Sequence, residues 1–187
     1  MKGLIEQLKD VFIEHGFHGT TLAELARATS LSKASLYHHF PGGKQEMAAT
    51  MIRTTIEDFQ RLAWRHLQSK KKPTERLLAF IDGFAIYCKD GHRPCLLAIL
   101  GQHGMPSHTN TNLDQLIHAQ FADWQTQLSL VYAELGCKPK KSGRLANQLL
   151  AELYGALLIA KMHNEPRLFS RHMKQAKKSV AQSVERL

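Results

Sequence analysis

No apolar run in this chain approaches the ~20 residues that a membrane-spanning helix requires, so no spanning segment and no membrane partner are expected. Cysteine is scarce: Cys88, Cys95 and Cys137 are odd in number, far apart and outside any metal-ligand spacing. A disulfide scaffold is therefore not expected, and a reducing cytoplasm fits best. The first residues, MKGLIEQLKDVF, are amphipathic and interrupted by Glu6, Lys9 and Asp10. They lack the uninterrupted apolar core of a signal peptide. Also missing are a nucleophile elbow, a phosphate-binding glycine loop and paired catalytic carboxylates. The chain has eleven histidines, but none stands in H-x-x-x-H or H-E-x-x-H. His103 with His108 and His163 with His172 are weak metal candidates, and no metal or cofactor is expected.

Acidic residues are also in deficit, with a formal net charge of +9. The excess is unevenly placed. Residues 1–50 balance Lys2, Lys9, Arg27, Lys33 and Lys44 against Glu6, Asp10, Glu14, Glu24 and Glu46. The surplus lies in Lys70-Lys71-Lys72, Lys138 to Arg144 and Arg167 to Lys178. Such runs read as solvated loops and helix faces. They favour non-specific encounter with a polyanion but do not define a site.

Helical patterning is plentiful, and Thr20 to Lys44, TTLAELARATSLSKASLYHHFPGGK, is its most informative stretch. Thr21 and Glu24 have the spacing of a capping box. Leu22, Leu25, Ala26 and Thr29 then share one face of a first helix. Ser32 caps a second helix in which Leu36 and Phe40 point inward. Lys33, Ser35, Tyr37 and His39 lie off that face. Pro41-Gly42-Gly43 ends the second helix and turns the chain. Two short helices with polar side chains along the second form a helix-turn-helix pattern, which suits the DNA major groove. An ordinary helical hairpin has the same outline, so the pattern alone does not decide between the two.

The particular residues go further. Phe12-x-x-x-Gly16-Phe17, Thr20-Thr21-Leu22, Leu25-Ala26, Leu31 to Phe40 (LSKASLYHHF) and Lys44 resemble the DNA-binding domain of the TetR family of transcriptional regulators. The segments Tyr87 to Leu100 and Glu152 to Lys161 resemble its LmrA/YxaF-like branch. Two departures stand out. Ser30 occupies the turn position where the family usually has glycine, which requires a non-glycine residue at positive φ. The Pro-Gly-Gly-Lys turn is one residue longer than the commonest family turn.

The expected architecture is all-α, with about nine helices. A three-helix helix-turn-helix domain over 1–46 is joined by a long helix to a helical ligand-binding and dimerisation domain over 47–187. Helix 1 covers 2–15, with Gly16 as its left-handed C′ residue. Helix 4 runs from near Lys44 to about Ser69, helix 5 from Thr74 to Asp90, and helix 6 from Cys95 to Gln102. Gly104 to Asn110 is a loop. Helix 7 covers Leu113 to Leu135, Gly136 to Ser142 is a basic turn, and helices 8 and 9 cover Arg144 to His163 and Arg167 to Glu185.

Lys33, Ala34 and Ser35 are the candidates for base edges. Lysine can reach guanine O6 or N7, Ser donates or accepts, and Ala permits close approach or meets a thymine methyl. By the resemblance, Tyr37, His39 and Lys44 are phosphate contacts, and Thr21 combines capping with a phosphate contact. Lys44 also lies at a helix start, where backbone N–H groups favour an anion.

In the second half, Phe59, Phe84, Tyr87, Cys88, Ile99, Phe121, Trp124 and Leu128 are candidates for a ligand pocket, although aromatics at helical spacing are more often core. Asp82, His103, His118 and Asp123 are polar candidates for orienting a ligand. Thiol sensing through Cys88 or Cys95 competes with the plainer reading of buried structural cysteines. Leu149, Leu153, Ala156, Leu157, Ala160, Met173, Ala176 and Val180 are the expected homodimer interface, since helices 8 and 9 are apolar on more than one side.

The resemblance implies a ligand-responsive, non-enzymatic repressor that binds a palindromic double-stranded DNA operator as a homodimer and is released by a small, apolar or amphipathic effector. The alternative is a helical carrier or enzyme whose hairpin never meets DNA.

Overall fold

In the computed structural model, residues 2–104 and 113–185 are described. Among them are nine α-helices: α1 (Lys2–Gly19), α2 (Leu22–Thr29), α3 (Lys33–His39), α4 (Gly43–Leu62), α5 (Pro73–Tyr87), α6 (Leu96–His103), α7 (Leu113–Glu134), α8 (Pro139–Met162) and α9 (Pro166–Glu185). Short 3-10 turns cover Trp64–His66 and Lys89–Gly91. The expected loop beyond Gly104, with His108, lies outside the described residues, as does the side chain of His103. No helix searched is long and apolar enough to cross a membrane.

The chain forms two compact units, Met1–Ile56 with Cys95–Ala119 and Glu57–Pro94 with Gln120–Leu187. α4 and α7 each contribute residues to both. This division by packing differs from the one expected at 46/47, because α6 and the head of α7 join the N-terminal helices.

In the first unit, α1 packs against α2 and α6. Leu8, Phe12, Phe17, Leu25, Leu36, Phe40, Met47, Leu97, Leu100 and Ile117 are buried. Phe12 and Phe17 stack with ring centroids 6.3 Å apart. Between them Gly16 breaks α1 at φ 64°, ψ −175°. This is not the left-handed helical conformation expected of a C′ residue but an extended one at positive φ, open essentially to glycine alone. It redirects the chain so that Phe17 returns to the core. The Thr20 hydroxyl donates to the Gly16 carbonyl at 2.6 Å and holds the break.

In the second unit, α5 and α8 pack on α9. Gly83 of α5 lies against the end of α4, where an added Cβ would fall 2.2 Å from the Leu62 carbonyl oxygen. This close approach falls where α4 ends, short of the expected boundary. α4 stops at Leu62 rather than near Ser69, and the chain tightens into the 3-10 turn with Trp64 buried. The Leu67 carbonyl then accepts from Arg76 Nε at 2.7 Å. α5 also ends early, at Tyr87, before a turn with Asp90 at φ 52°. α8 begins five residues ahead of its expected start. Pro139 occupies the first turn, and the buried Ser142 hydroxyl donates to the Cys137 and Lys138 carbonyls, so the basic stretch is helix rather than turn. Gly83→Ala should destabilise the protein by about 1–3 kcal/mol, because rigid backbone rather than a movable side chain blocks the methyl. A chemical denaturation midpoint unchanged from wild type would contradict that packing.

Candidate functional site

The helix-turn-helix is set by local chemistry. The Thr21 hydroxyl accepts from Glu24 N at 3.2 Å, while the Glu24 carboxylate accepts from Thr21 N at 2.8 Å and from the Thr21 hydroxyl at 2.9 Å. These bonds hold the Glu24 carboxyl below its ordinary pKa. The Thr21 hydroxyl proton is thus already used within the cap. Ser30 adopts the left-handed conformation, φ 55°, ψ 24°, that its place in the turn requires. Ser32 then caps α3, its hydroxyl accepting from Ser35 N at 3.0 Å.

α3 keeps Leu36 inside and exposes Lys33, Ala34, Tyr37 and His39. Ser35 is half-buried, with its hydroxyl 2.9 Å from that of Ser32, so a base contact would have to share it with the cap.

Lys44 is more deeply engaged than its sequence position suggests. Its ammonium donates to the Phe17 carbonyl at 3.0 Å and the Thr20 carbonyl at 2.9 Å, and sits 4.5 Å over the Phe17 ring. Burial lowers its pKa, against the pull of nearby Glu24. A lysine ammonium has three donors, so one remains for an anion. Thr21, Tyr37 and Lys44 line one open cleft of about 650 Å³, together with Phe17, His18, Thr20, Leu22, Pro41, Gly42, Gly43 and Gln45. The Glu46 carboxylate accepts from Gly42 N at 2.7 Å and secures the floor of the turn. His18 and Gln45 were not singled out from sequence; only their flanking of Gly19–Thr20 and Lys44 pointed to them.

In the second unit, aromatic rings form a continuous cluster. Trp124 lies 4.1 Å from Phe59 and 4.6 Å from Phe121, centroid to centroid. Phe59 also meets Phe80, Phe84 and Tyr87, and Phe84 meets Tyr154 and Phe169. Of the residues expected to line a pocket, Phe59, Phe84, Cys88, Trp124 and Leu128 are fully buried, while Tyr87 and Phe121 are half-buried at the margin. Ile99 belongs to the other unit, on α6. Phe80, Tyr154 and Phe169 complete the cluster. Tyr154, half-buried on α8, joins the cluster without belonging to the residues expected there.

Among the polar candidates, Asp82 pairs with Lys177, and His118 and Asp123 are exposed. All three cysteines are buried and in no disulfide. Among the described residues, no group of three His, Cys, Asp or Glu side chains is placed to hold a metal.

The eight expected interface residues on α8 and α9 are each 5 % exposed or less within the single chain, so they complete the core of the second unit. A partner can reach a different stripe of α8. Leu158, Ile159 and Met162 are 56 %, 44 % and 69 % exposed, and an added Cβ at Gly155 would meet nothing within 4 Å.

Residues 4–51 match the family described as bacterial regulatory proteins, tetR family. The chain is 21% identical over 152 residues to the HTH-type transcriptional regulator LmrA of Bacillus subtilis, covering 80% of each protein. A TetR transcriptional regulator from Legionella pneumophila shares the fold with a TM-score of 0.78 at 16% identity, over 96% of this chain and 94% of that one. AibR, whose structure was solved with isovaleryl coenzyme A and operator DNA, aligns with a TM-score of 0.65 at 18% identity, over 82% of this chain and 85% of that one. This match falls on the residues that build the helix-turn-helix, so residues 4–51 carry the helix-turn-helix domain of tetR-family bacterial regulatory proteins, and the chain as a whole is similar in sequence and fold to transcriptional regulators of that family.

Proposed function

We propose that this regulator is a repressor that binds a palindromic operator as a homodimer and leaves it when a small, largely apolar effector enters the second unit. The observation that carries this reading is the exposed row Lys33, Ala34, Tyr37 and His39 on a doubly capped hairpin, beside the cleft holding Lys44. The N-terminal half of α3 meets base edges through Lys33 and Ala34, with Ser35 in support. Tyr37, His39, Thr21 and the remaining N–H of Lys44 position the helix on phosphates. Residues 1–46 act as the DNA-binding domain, and 47–187 bind the effector and the second copy. Its place of action is the cytoplasm, where the DNA is.

Dimerisation uses the Gly155, Leu158, Ile159 and Met162 stripe. These residues recur at i, i+3, i+4 and i+7, and the missing side chain at Gly155 permits close approach of a second α8. The outward side of α9 carries Arg167, Arg171, Lys174 and Lys178 and suits the polar rim.

The effector enters among the half-buried rings Tyr87, Phe121 and Tyr154. Release follows only if it binds the DNA-incompetent state better, since equal affinity for both states shifts nothing. AibR, solved in complex with isovaleryl coenzyme A and operator DNA, supports a fold that accommodates both a small ligand and an operator.

A thermal-shift screen tests the reading. Compounds that bind the native protein raise its melting temperature. Those that act at Phe121 should also lower operator affinity, and Phe121→Ala should blunt both effects. Compounds that raise the melting temperature through Phe121 and leave operator affinity untouched would refute effector-driven release.

A further inference from the structure

The tryptophan at the centre of the aromatic cluster carries an unanswered donor. Trp124 is 0 % exposed, and its indole N–H meets no hydrogen-bond acceptor among the described residues. The Trp124 ring packs beside those of Phe59, Phe121 and, nearly parallel, Tyr154, with centroids 4.1, 4.6 and 6.5 Å away. A buried indole N–H normally finds a partner, because withdrawing it from water unmatched is unfavourable. Phenylalanine would fill an apolar core here without that penalty. Three rings of the cluster, Tyr87, Phe121 and Tyr154, are only half-buried, so its margin is within reach of an entering molecule.

We infer that Trp124 Nε1–H is the polar anchor of the effector site, and that the effector is a neutral, ring-sized apolar molecule bearing one hydrogen-bond acceptor, such as a carbonyl, an ether oxygen or an aromatic nitrogen. The inference rests on the effector reading given above and adds to it the polar group that fixes orientation. Neutrality follows from the surroundings. Phe59, Phe84, Tyr87, Phe121, Leu128 and Tyr154 bring no charge, and a carboxylate among them would be desolvated without a paired cation. A pure hydrocarbon would leave the donor as it is and gain only from burial.

The test uses acetylnaphthalene and ethylnaphthalene, one bicyclic frame with and without a carbonyl oxygen, against the full-length protein. Both should bind and lower operator affinity. The acetyl compound should bind about fivefold to tenfold more tightly, the equivalent of one neutral hydrogen bond. It should also move the Trp124 indole proton downfield in spectra of isotope-labelled protein. Trp64, the other tryptophan, serves as the internal control. Trp124→Phe should erase the preference, so that the ratio of the two affinities falls to about one whatever happens to each. If Trp124→Phe fails to fold, the indole shift in the wild-type protein still decides. Equal affinities with an unmoved Trp124 proton would overturn the anchor and leave the effector reading standing. If neither compound binds, the anchor as stated here fails, while the effector reading is decided by the Phe121 thermal-shift test.

Discussion

Replacing Leu158 and Ile159 together by glutamate is expected to produce a monomer and to weaken operator binding by about 10²–10⁴-fold, the advantage that linking two half-site contacts confers. Both side chains project away from the single-chain core, at 56 % and 44 % exposure. The monomer should therefore keep its helix content and melt cooperatively. In a symmetric interface each substitution occurs twice, so four carboxylates would meet in an apolar contact without partners. The same change at Ala156 and Ala160 is expected to unfold the second unit instead, because those residues are 4 % and 2 % exposed. A doubly substituted Leu158/Ile159 protein with the dimer mass in light scattering would place the interface elsewhere.

Lys33→Ala and Lys44→Ala remove the same charge from the same unit and are expected to differ in kind. Lys33 is exposed at the first turn of α3, with no fold role in view. Its loss should relax preference at one symmetric pair of operator positions, with about 1–3 kcal/mol of discrimination lost per contact. Lys44 ties the end of α1 to the start of α4 through the Phe17 and Thr20 carbonyls. Its loss should weaken binding to every sequence alike and reduce the salt slope by about one per half-site. It should also lower folding stability by roughly 1–3 kcal/mol, since two part-buried carbonyls lose a charged donor. Bulk electrostatics cannot produce such a contrast. A Lys44→Ala protein with reduced stability but an unchanged salt slope would make Lys44 purely a structural strut. A Lys33→Ala protein weakened equally on all sequences would move specificity to Ala34, Ser35 or DNA shape.

The hairpin was legible because each of its features is local. The Thr21–Glu24 box, the Ser32 cap and the positive φ at Ser30 depend on residues within a few positions of one another, and sequence displays those directly. The double engagement of Lys44 was not legible, since Phe17 and Thr20 approach it only after Gly16 bends α1. The end of α4 was misplaced for the same reason. Residues 63–67 keep a helical apolar pattern, while Gly83, some twenty positions on, requires close approach at Leu62.

On α8, periodicity signalled two apolar sides but did not say which was outward. Leu149, Leu153, Ala156 and Ala160 form the more regular face, and the regular face went to the core. Gly155, Leu158, Ile159 and Met162 carry the surplus of apolar residues that one buried face does not explain. The aromatic cluster was foreseen as a set of rings. Neither its closure around Trp124 nor the unmatched indole follows from spacing alone.

We propose above all that this chain reads a DNA sequence through α3 as a dimer. Selection of sites from random duplex DNA, followed by affinity measurements on the selected and unrelated duplexes across a salt series, tests it most directly. The expected result is an inverted repeat bound at least about 10³-fold more tightly than unrelated DNA at physiological salt, with a preference that survives as both affinities fall with salt. Recovery of no common sequence, with equal binding to every duplex that disappears as salt rises, would contradict it.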